Sequence, residues 1–401
     1  MKILTFSSLF PNRAQPHHGV FVENRLRHLV AEGGVEARVI APVPWFPFTA
    51  GRFGAYGAFA KAPREDRRFG IEVRYPRYPV IPKVGMSLAP TLMYRMVRPA
   101  VERLLLEGFD FDLIDAHYFY PDGVAAAMIA KRLGKPLTIT ARGTDINLIP
   151  RFALPRRQIL WAGRQAAAMI AVCQALKDEM IALGLDGARI RVLRNGVDLE
   201  GFKPLNRTAE RDRLGVSGPV ILSAGHLIPR KGHDFVVRAL AQIPEATLLI
   251  VGKGPEEAAL KALVDELGLG ARVRFVGGVP HEEMPRYYSA ADLLVLASDR
   301  EGWPNVLLES MACGTPVVAS RIWGNPEVVT APAAGLLFDR RDPDLIADAV
   351  SRLLGALPER AATRRYAEQF SWDDTSKGQV SLFRGVLEQD GPRVPPRLVP
   401  A

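Results

Sequence analysis

The chain of 401 residues is 48% hydrophobic and 24% charged, which is the composition of a globular protein with room for two or three domains. No apolar run approaches the roughly 18 residues that a membrane span needs, and Cys173 and Cys313 form no CxxC pair. These features exclude an integral membrane protein and a disulfide-stapled scaffold, and they predict a cytoplasmic protein with reduced thiols.

The net charge of +9 is unevenly distributed along the chain. Residues 1–200 carry 28 Lys and Arg against 18 Asp and Glu, whereas residues 201–401 carry 24 against 25. The whole positive excess therefore lies in the first half. Such an excess suits nucleic acid, an anionic membrane face or an acidic substrate, and it equally suits simple solubility.

Short apolar strands alternate with helical stretches along the first half. The strand "KILTF" opens the chain without the pattern of a signal peptide, and a helix is predicted over about Val20–Ala31. The segments that follow are, in order, "ARVIAPV", "FDLIDAH", "VAAAMIAKRLG", "PLTITA", "AAAMIAVCQALKDEMIALG" and "IRVLRNGVD". This alternation predicts a parallel sheet wrapped by helices.

The same alternation restarts in the second half. Its segments are "VILSAG", a helix from Gly232, "ATLLIVG", a helix from Pro255, "VRFVGG", a helix near "HEEMPRYYSA", and "DLLVLAS". We therefore predict an α/β protein with two doubly wound, Rossmann-like domains that face each other across a cleft, at residues 1–200 and 201–373. A helix over residues 374–390 is expected to join the first domain, and residues 391–401 have the composition of a disordered tail.

The segment "EGWPNVLLESMACGTPVVAS", residues 301–320, predicts a loop followed by a helix whose first residue is Pro304. Three N–H groups at this helix start are expected to be free for a phosphate, those of Asn305, Val306 and Leu307. Glu301 and Glu309 flank the helix start and can accept hydrogen bonds from neutral hydroxyls. A ligand with hydroxyls on both sides of a diphosphate is a sugar nucleotide, so the arrangement suits such a ligand. The alternative is a loop and a solvated helix with two surface glutamates.

This segment resembles the Glu-x7-Glu signature of the family-4 retaining glycosyltransferases of the GT-B fold. Further blocks resemble that family in the expected order: "RNGVD", "HLIPRKGHD", "LLIVGKGPEEAAL", "VRFVGGVPHEEMPRYYSAADLLVLAS" and "NPEVV". The segments "FSSLFPN", "HGVFVENRLRHL" and "TARGTDIN" are similar to the branch of teichuronic-acid-type and other exopolysaccharide glycosyltransferases. The resemblance extends over nearly the whole chain.

The resemblance implies roles for individual residues. Glu309 would bind the ribose hydroxyls, Glu301 the hydroxyls of the donor sugar, and Lys231 the diphosphate. His117, at the end of "LIDAH", would reach the donor sugar near its reacting carbon, and Gly19 would lie near the phosphates or the acceptor. The turn "VGGV" would hold the base edge through its backbone, with Val276, Gly278 and Val279.

Two positions depart from the family pattern. His226 stands where the family has an Arg that clamps the diphosphate, so either Arg230 supplies the second cation or the clamp is weaker. Arg142 stands where the family has a His, and we place Arg142 and Asp145 on the acceptor side. Arg142 would replace the missing charge or contact an anionic acceptor.

No metal site is predicted. The patterns "DFD", Asp110–Asp112, and "DPD", Asp342–Asp344, match the DxD motif of a different class of glycosyltransferase. However, the first precedes a strand and the second opens a helix, where acidic residues are common caps. The turn "GKGP" lacks the third Gly of a dinucleotide fingerprint and the GK[ST] of a P-loop.

The sequence thus predicts a retaining, metal-independent glycosyltransferase that uses a UDP- or GDP-linked sugar, without a further cofactor, in cell-surface polysaccharide or glycolipid synthesis. The acceptor is expected to be lipid-linked or an oligosaccharide, and no nucleic acid partner is expected. The alternatives are a GT-B-fold sugar-nucleotide epimerase or hydrolase, and a non-catalytic partner protein with this fold. A glycosidase would leave the phosphate-binding helix starts unexplained.

A peripheral membrane surface is a further hypothesis for the first domain. Residues 42–70 interleave aromatic, glycine and basic residues, and an apolar stripe runs from Leu88 to Leu105. Pro99 is expected to kink or split that helix. Docking on the anionic inner membrane face would keep the protein cytoplasmic and peripheral, whereas the alternative is a long loop and a core-packed helix.

Overall fold

The computed structural model describes residues 1–50, 54–80 and 85–390, and it divides into two compact units. Unit 1 comprises Met1–Arg194 and Asp373–Ala401, and unit 2 comprises Asn195–Trp372. The first boundary thus lies at Arg194 rather than at residue 200, because the N–H of Val197 donates to Phe370 O at 2.9 Å within unit 2. The predicted disordered tail, residues 391–401, lies outside the described residues.

Unit 1 is built on a mostly parallel sheet. Its strands are β1 (Lys2–Phe6), β2 (Glu36–Ile40), β3 (Val43–Trp45), β4 (Glu65–Arg68), β5 (Ile71–Arg74), β6 (Arg77–Pro79), β7 (Leu113–His117), β8 (Leu137–Ala141), β9 (Ala168–Ala171) and β10 (Ile190–Val192). The main sheet has the order β10-β9-β8-β7-β1-β2-β5-β4, and β4 runs antiparallel to β5. Strands β3 and β6 pair separately. The chain order reverses between β1 and β7, so the loops after these two strands meet at the carboxyl edge.

Helices cover the sheet of unit 1. They are α1 (Val20–Ala31), α2 (Gly54–Lys61), α3 (Ala89–Leu106), α4 (Val124–Leu133), α5 (Thr144–Asn147), α6 (Ala153–Gln165) and α7 (Gln174–Ala182). The predicted helix over Val20–Ala31 is confirmed. Pro99 lies inside α3, which runs unbroken, so the helix is not split there, and the expected kink stays a prediction. Buried Met93, Val97 and Val101 hold both halves of α3 against the core, which outweighs the one backbone hydrogen bond that a proline removes.

Unit 2 repeats the architecture with a fully parallel sheet. Its strands are β11 (Val220–Ala224), β12 (Thr247–Val251), β13 (Val273–Gly277), β14 (Leu293–Leu296), β15 (Val317–Ser320) and β16 (Gly335–Phe338). Its helices are α8 (Arg207–Leu214), α9 (His233–Leu240), α10 (Glu257–Glu266), α11 (Met284–Ala290), α12 (Asn305–Ala312), α13 (Asn325–Val328), α14 (Pro343–Gly355) and α15 (Arg360–Ala367). The strand order β13-β12-β11-β14-β15-β16 is the doubly wound, dinucleotide-binding type, with its reversal between β11 and β14.

The last helix, α16 (Trp372–Asp390), returns to unit 1. Val380 and Phe383 of α16 are buried in the same apolar cluster as Ile3, Leu26 and Val39, which come from β1, α1 and β2. Each unit has such a core, and that of unit 2 gathers the buried faces of β11, β12, α9 and α14. Within residues 1–50, 54–80 and 85–390, no helix combines the length and apolarity of a membrane span. The predicted fold class, two doubly wound Rossmann-like domains, is confirmed for each unit.

Candidate functional site

The reversal point of unit 2 brings two predicted site residues together. The loop after β11 holds His226 and the short 3-10 turn Pro229–Lys231, and the loop after β14 holds Glu301. Lys231 Nζ lies 2.6 Å from Glu301 Oε1, and both side chains are largely buried. The two residues therefore form one ion pair, although the resemblance assigned them to different parts of a ligand.

Glu301 is held as a carboxylate. Ser298 Oγ donates to Oε1 at 2.7 Å, and Arg230 Nη1 lies 3.7 Å from Oε2. Burial alone would raise the pKa of Glu301, but Lys231, Ser298 and Arg230 together hold it below its usual value. At neutral pH this corner of unit 2 therefore combines two cationic side chains with one anionic side chain, and a bound phosphate would compete with Glu301 for the cations.

The position of the family's clamping Arg is occupied by His226, which is exposed just after β11. Arg230 is half-buried, and its guanidinium donates to Arg300 O at 2.7 Å, beside Glu301. The loop after β11 is shaped by a close approach of backbones, because a Cβ on Gly252 would lie 1.8 Å from Gly225 O. Arg230 is thus oriented toward the Glu301 loop, where it can act as the second cation of the site.

Glu309 lies within α12, and both of its oxygens have partners. His281 Nε2 lies 3.0 Å from Oε1, and the Tyr288 hydroxyl donates to Oε2 at 2.8 Å. Burial would lower the pKa of His281, but the hydrogen bond and charge of Glu309 raise it. Each carboxylate oxygen keeps a further lone pair, so Glu309 can still accept bonds from ligand hydroxyls. The sequence analysis missed His281 and Tyr288, and only their place in the family block "HEEMPRYYSA" pointed toward them.

The start of α12 differs from the prediction. Pro304 is the N-cap and the helix begins at Asn305, so the assignment of Pro304 as the first helical residue is wrong. The N–H of Asn305 donates to Trp303 O at 3.1 Å, and that of Leu307 donates to Pro304 O at 3.0 Å. The expectation that the N–H groups of Asn305 and Leu307 are free is therefore wrong, because the turn closes on its own carbonyls. A contact of Asn305, Val306 or Leu307 with a ligand stays a prediction.

The predicted base-edge turn, Val276–Val279, lies at the end of β13. Its candidate contact residues are half-buried or exposed: Val276, Gly278 and Val279. Gly277 O accepts the N–H of Gly252 at 2.8 Å, which fixes the turn against the end of β12. Because His281 follows this turn closely and contacts Glu309, unit 2 places the turn near the carboxylate of α12.

In unit 1, His117 ends β7 at the reversal point of the sheet. Its ring is buried, with Nε2 3.1 Å from Asp115 Oδ2 and Nδ1 accepting a hydrogen bond from Arg142 Nη2 at 2.5 Å. Burial lowers the pKa of His117 to about 4, despite the opposing effect of Asp115. The ring is therefore neutral at physiological pH, and both nitrogens are engaged within unit 1.

Asp145 supports the backbone around His117 and Arg142. It is fully buried, and its carboxylate accepts the N–H groups of Phe119, Arg142 and Gly143 at 2.8, 3.1 and 2.8 Å. Burial raises the pKa of Asp145. This carboxylate fixes the loops after β7 and β8, and it thereby fixes the backbone that carries Arg142. The structure thus brings Arg142, Asp145 and His117 together, with Asp145 turned toward the backbone.

The loop after β1 is tied to the turn after β7. Gly19 precedes α1 with φ 72°, and a Cβ there would lie 2.2 Å from Leu9 C, so this position requires glycine for packing. Asp122, which the sequence analysis did not single out, accepts hydrogen bonds from the N–H and the hydroxyl of Ser8. Burial raises the pKa of Asp122 to about 7. A contact of Gly19 with a ligand stays a prediction.

Both DxD patterns have structural partners. Asp110 forms an ion pair with Lys135 at 2.7 Å, and Asp342 caps α14 by accepting the N–H of Asp344 at 2.9 Å. In the part of the chain that the structure describes, no group of three or more His, Cys, Asp or Glu is arranged to hold a metal ion.

Two family models match this chain. The model described as Glycosyltransferase Family 4 matches residues 19–200, and the model described as Glycosyl transferases group 1 matches residues 206–370. The chain belongs to the family 4 and group 1 glycosyltransferases. The two matched ranges cover unit 1 from α1 to β10, without α16, and nearly all of unit 2, which agrees with the family resemblance found from the sequence blocks.

Curated relatives and solved structures agree with this assignment. The D-inositol 3-phosphate glycosyltransferase of Mycobacterium tuberculosis is 32% identical over 303 residues, which are 69% of this chain and 62% of the relative. The match thus spans less than two thirds of that relative's length. Sucrose-phosphate synthase from Thermosynechococcus elongatus superimposes with a TM-score of 0.79 at 21% identity, covering 97% of this chain and 99% of the neighbour. HepE of Anabaena, in complex with UDP and glucose, gives a TM-score of 0.74 at 24% identity, covering 96% and 100%. These structural neighbours establish the GT-B fold.

Proposed function

We propose that this protein is a retaining glycosyltransferase that moves a sugar from a nucleoside-diphosphate sugar to an acceptor hydroxyl. One observation carries the proposal: the reversal point of unit 2 combines Lys231, Arg230 and Glu301 in one partly exposed cluster. Cations are the groups that stabilise a diphosphate, and a carboxylate is the group that accepts hydrogen bonds from sugar hydroxyls. A UDP- or GDP-linked sugar requires both kinds of group side by side.

The proposed mechanism uses these side chains without a strong base. Lys231 and Arg230 stabilise the negative charge that develops on the leaving diphosphate, and Glu301 orients the donor sugar. Glu309, supported by His281, binds the ribose. The acceptor hydroxyl attacks from the face of the leaving group, and the leaving phosphate oxygen takes its proton. His117 is assigned to the donor sugar by the resemblance, and its buried, neutral ring supports a role through Arg142.

We propose that the reaction is independent of a metal ion. Support comes from the ion pair and the helix cap that already engage the DxD patterns, and from the cations that can neutralise the diphosphate directly. Turnover is expected to survive EDTA. Abolition of turnover by EDTA, with recovery on adding Mg²⁺ or Mn²⁺, would contradict this part of the proposal.

The acceptor is proposed to be lipid-linked or an oligosaccharide, in the cell-surface polysaccharide or glycolipid chemistry of the exopolysaccharide-type branch. The positive excess of residues 1–200 and the half-buried Arg142 suit an acceptor that carries phosphate. The name of the mycobacterial relative favours a second class, a soluble phosphorylated polyol. A panel containing lipid-linked, oligosaccharide and phosphorylated polyol acceptors separates the classes.

Peripheral membrane attachment of unit 1 is part of the proposal. Exposed apolar side chains occur on and beside α3 and α6: Met86, Leu88, Met96, Phe152 and Leu154. Exposed arginines accompany them: Arg95, Arg151, Arg156 and Arg157. Gln158 Nε2 donates to Ser87 O at 3.2 Å, so the two segments are neighbours. This surface lies beside the region that the sequence suggested, residues 42–70. Within that region, Arg68 forms an ion pair with the buried Glu23.

Sedimentation with anionic liposomes tests the attachment. Binding is expected at low salt and is expected to weaken at high salt, because each basic residue near an anionic surface contributes about 1 kcal/mol. The variant Arg151→Glu/Arg156→Glu/Arg157→Glu is expected to lose binding, whereas the control Arg352→Glu, on the exposed face of α14, is expected to keep it. Equal sedimentation of the two variants would contradict the proposed surface.

A thermal-shift screen of nucleotide sugars tests the donor assignment. Ligand binding raises the apparent stability by RT ln(1 + [L]/Kd), so the true donor and its nucleoside diphosphate should give the largest shifts. Two alternatives give different results. Donor consumption without any acceptor would favour the epimerase or hydrolase, and absence of any shift would favour the non-catalytic partner. The intact Lys231–Glu301 pair counts against the latter.

A further inference from the structure

A series of buried hydrogen bonds crosses unit 1 from α1, through α16 and β7, to the residue that follows β8. Arg25 Nε donates to Gln379 Oε1 at 2.7 Å, and Gln379 Nε2 donates to Asp115 Oδ2 at 3.0 Å. Asp115 Oδ2 also faces His117 Nε2 at 3.1 Å, and His117 Nδ1 accepts from Arg142 Nη2. The side chains of Arg25, Asp115, His117 and Gln379 are all at most 1% exposed.

The chemistry of these groups allows only one arrangement of protons. An arginine has donors only, so the amide oxygen of Gln379 must face Arg25 and its NH₂ must face Asp115. An ionised carboxylate accepts only, so the proton of His117 must lie on Nε2. Nδ1 then carries the lone pair that Arg142 requires. A flipped amide or the other tautomer would bring like groups together at two of these contacts.

Gln379 is the only member of this hydrogen-bonded series that lies on the last helix. It lies on α16, whereas Asp115 and His117 lie on β7 and Arg25 lies on α1. Thr138 Oγ1 donates to the other oxygen of Asp115 at 3.0 Å, so the carboxylate cannot rotate without losing a partner. The amide also separates Arg25 from Asp115, which keeps the carboxylate directed at His117.

We propose that Gln379 is a positioning residue of the transferase reaction: it orients Asp115, which fixes the Nε2–H tautomer of His117, and His117 in turn orients the guanidinium of Arg142. This inference rests on the proposed function, in which Arg142 contacts the acceptor and His117 acts through Arg142. Helix α16 then has a second role beside packing, because Gln379 sets the geometry of the residues at the ends of β7 and β8.

The test uses two variants of the full-length protein, Gln379→Met and Gln379→Glu. Met keeps the volume but has neither the donor nor the acceptor of the amide. Its kcat is expected to fall about tenfold, with the donor KM within about twofold, because only the orientation of reacting groups is lost. In ¹⁵N spectra, His117 is expected to show the Nε2–H tautomer in the wild type and a mixed or titrating state in Gln379→Met.

Gln379→Glu supplies a rescue that a purely structural role would not show. When protonated, the introduced carboxyl can donate to Asp115 and accept from Arg25, as the amide does. When ionised, it repels Asp115. The kcat deficit of Gln379→Glu is therefore expected to shrink as the pH falls, whereas that of Gln379→Met should stay constant. Gln389→Met, on the exposed side of α16, is the matched control and is expected to behave as the wild type.

The outcomes separate this inference from the proposed function. A folded Gln379→Met variant with wild-type kcat and an unchanged His117 spectrum would overturn the inference while the transferase assignment stands. If Gln379→Met does not fold, a deficit of Gln379→Glu that does not change with pH would overturn it. If the wild type transfers no sugar, the ¹⁵N spectra still test the inference. A wild-type His117 that carries its proton on Nδ1 would contradict the proposed series of hydrogen bonds.

Discussion

The ion pair in unit 2 makes Glu301→Gln an informative substitution. Lys231 Nζ lies 2.6 Å from Glu301 Oε1, and the two side chains are only 15% and 10% exposed. At an effective dielectric constant of about 20, unit charges about 3 Å apart attract each other by about 5 kcal/mol. Desolvation offsets much of this attraction, and we take about 1.5–3 kcal/mol, the range for hydrogen bonds to charged groups, as its net contribution.

A diphosphate that binds at Lys231 must share this cation with Glu301. Glutamine keeps the shape of the side chain, and its amide oxygen can still accept from Lys231 and Ser298, but it removes the competing charge and places an NH₂ group toward Arg230. We therefore expect Glu301→Gln to bind the free nucleoside diphosphate about 10- to 100-fold more tightly than the wild type, which corresponds to about 1.4–2.8 kcal/mol. The same variant is expected to lose turnover, because the donor sugar loses a charged hydrogen-bond acceptor.

Isothermal titration calorimetry with the nucleoside diphosphate, in the presence of EDTA, measures this effect. Glu309→Gln is the matched control, since it makes the same chemical change on α12. It is expected to bind the nucleoside diphosphate more weakly than the wild type, because the ribose loses its charged acceptor. Equal or weaker binding by Glu301→Gln would refute the reasoning, since it would mean that Lys231 is not shared between Glu301 and a phosphate.

Three further predictions concern stability and nucleotide binding. Burial raises the pKa of Asp122 to about 7, so between the unfolded value of 3.8 and about 7 only the folded state keeps the proton. The resulting stabilisation is lost as the pH rises from about 4 to about 7, and Asp122→Asn should therefore lose less stability than the wild type over that range in urea unfolding. Gly252→Ala should cost about 2–4 kcal/mol in the same assay, because its Cβ would meet Gly225 O, whereas Gly355→Ala, in open space, should be neutral or slightly stabilising. His281→Gln should weaken nucleoside diphosphate binding about fivefold by calorimetry, because Glu309 loses a charge-assisted partner. An unchanged Kd would show that His281 does not support Glu309 in binding the nucleoside diphosphate.

The repeating pattern of strands and helices was readable from the sequence. Apolar runs of strand length, separated by amphipathic helices, predicted both parallel sheets, and the helix over Val20–Ala31 was placed with its observed ends. The reason is that a buried parallel strand and an amphipathic helix each impose a local pattern on the residues. The alternation alone does not determine the strand orders, whose reversal points place the loops that carry Glu301 and His117.

The contacts inside the site were not readable in this way. Lys231 and Glu301 are 70 positions apart, and Gln379 and Asp115 are 264 apart, so no local spacing reports that they meet. The start of α12 was misjudged for a different reason. A proline suits both the first helical position and the N-cap, and only the backbone angles of Pro304, φ −85° and ψ 76°, distinguish the two.

Hydrogen–deuterium exchange of the full chain, with and without the nucleoside diphosphate, tests the central claim most directly. The account predicts protection of three segments of unit 2 on binding: the loop after β11 that contains Lys231, the turn Val276–Val279, and the segment from Glu301 to Glu309. The exchange of β16 and α14 should not change. Binding without protection of these segments, or with protection confined to other parts of the chain, would contradict the assignment of the site.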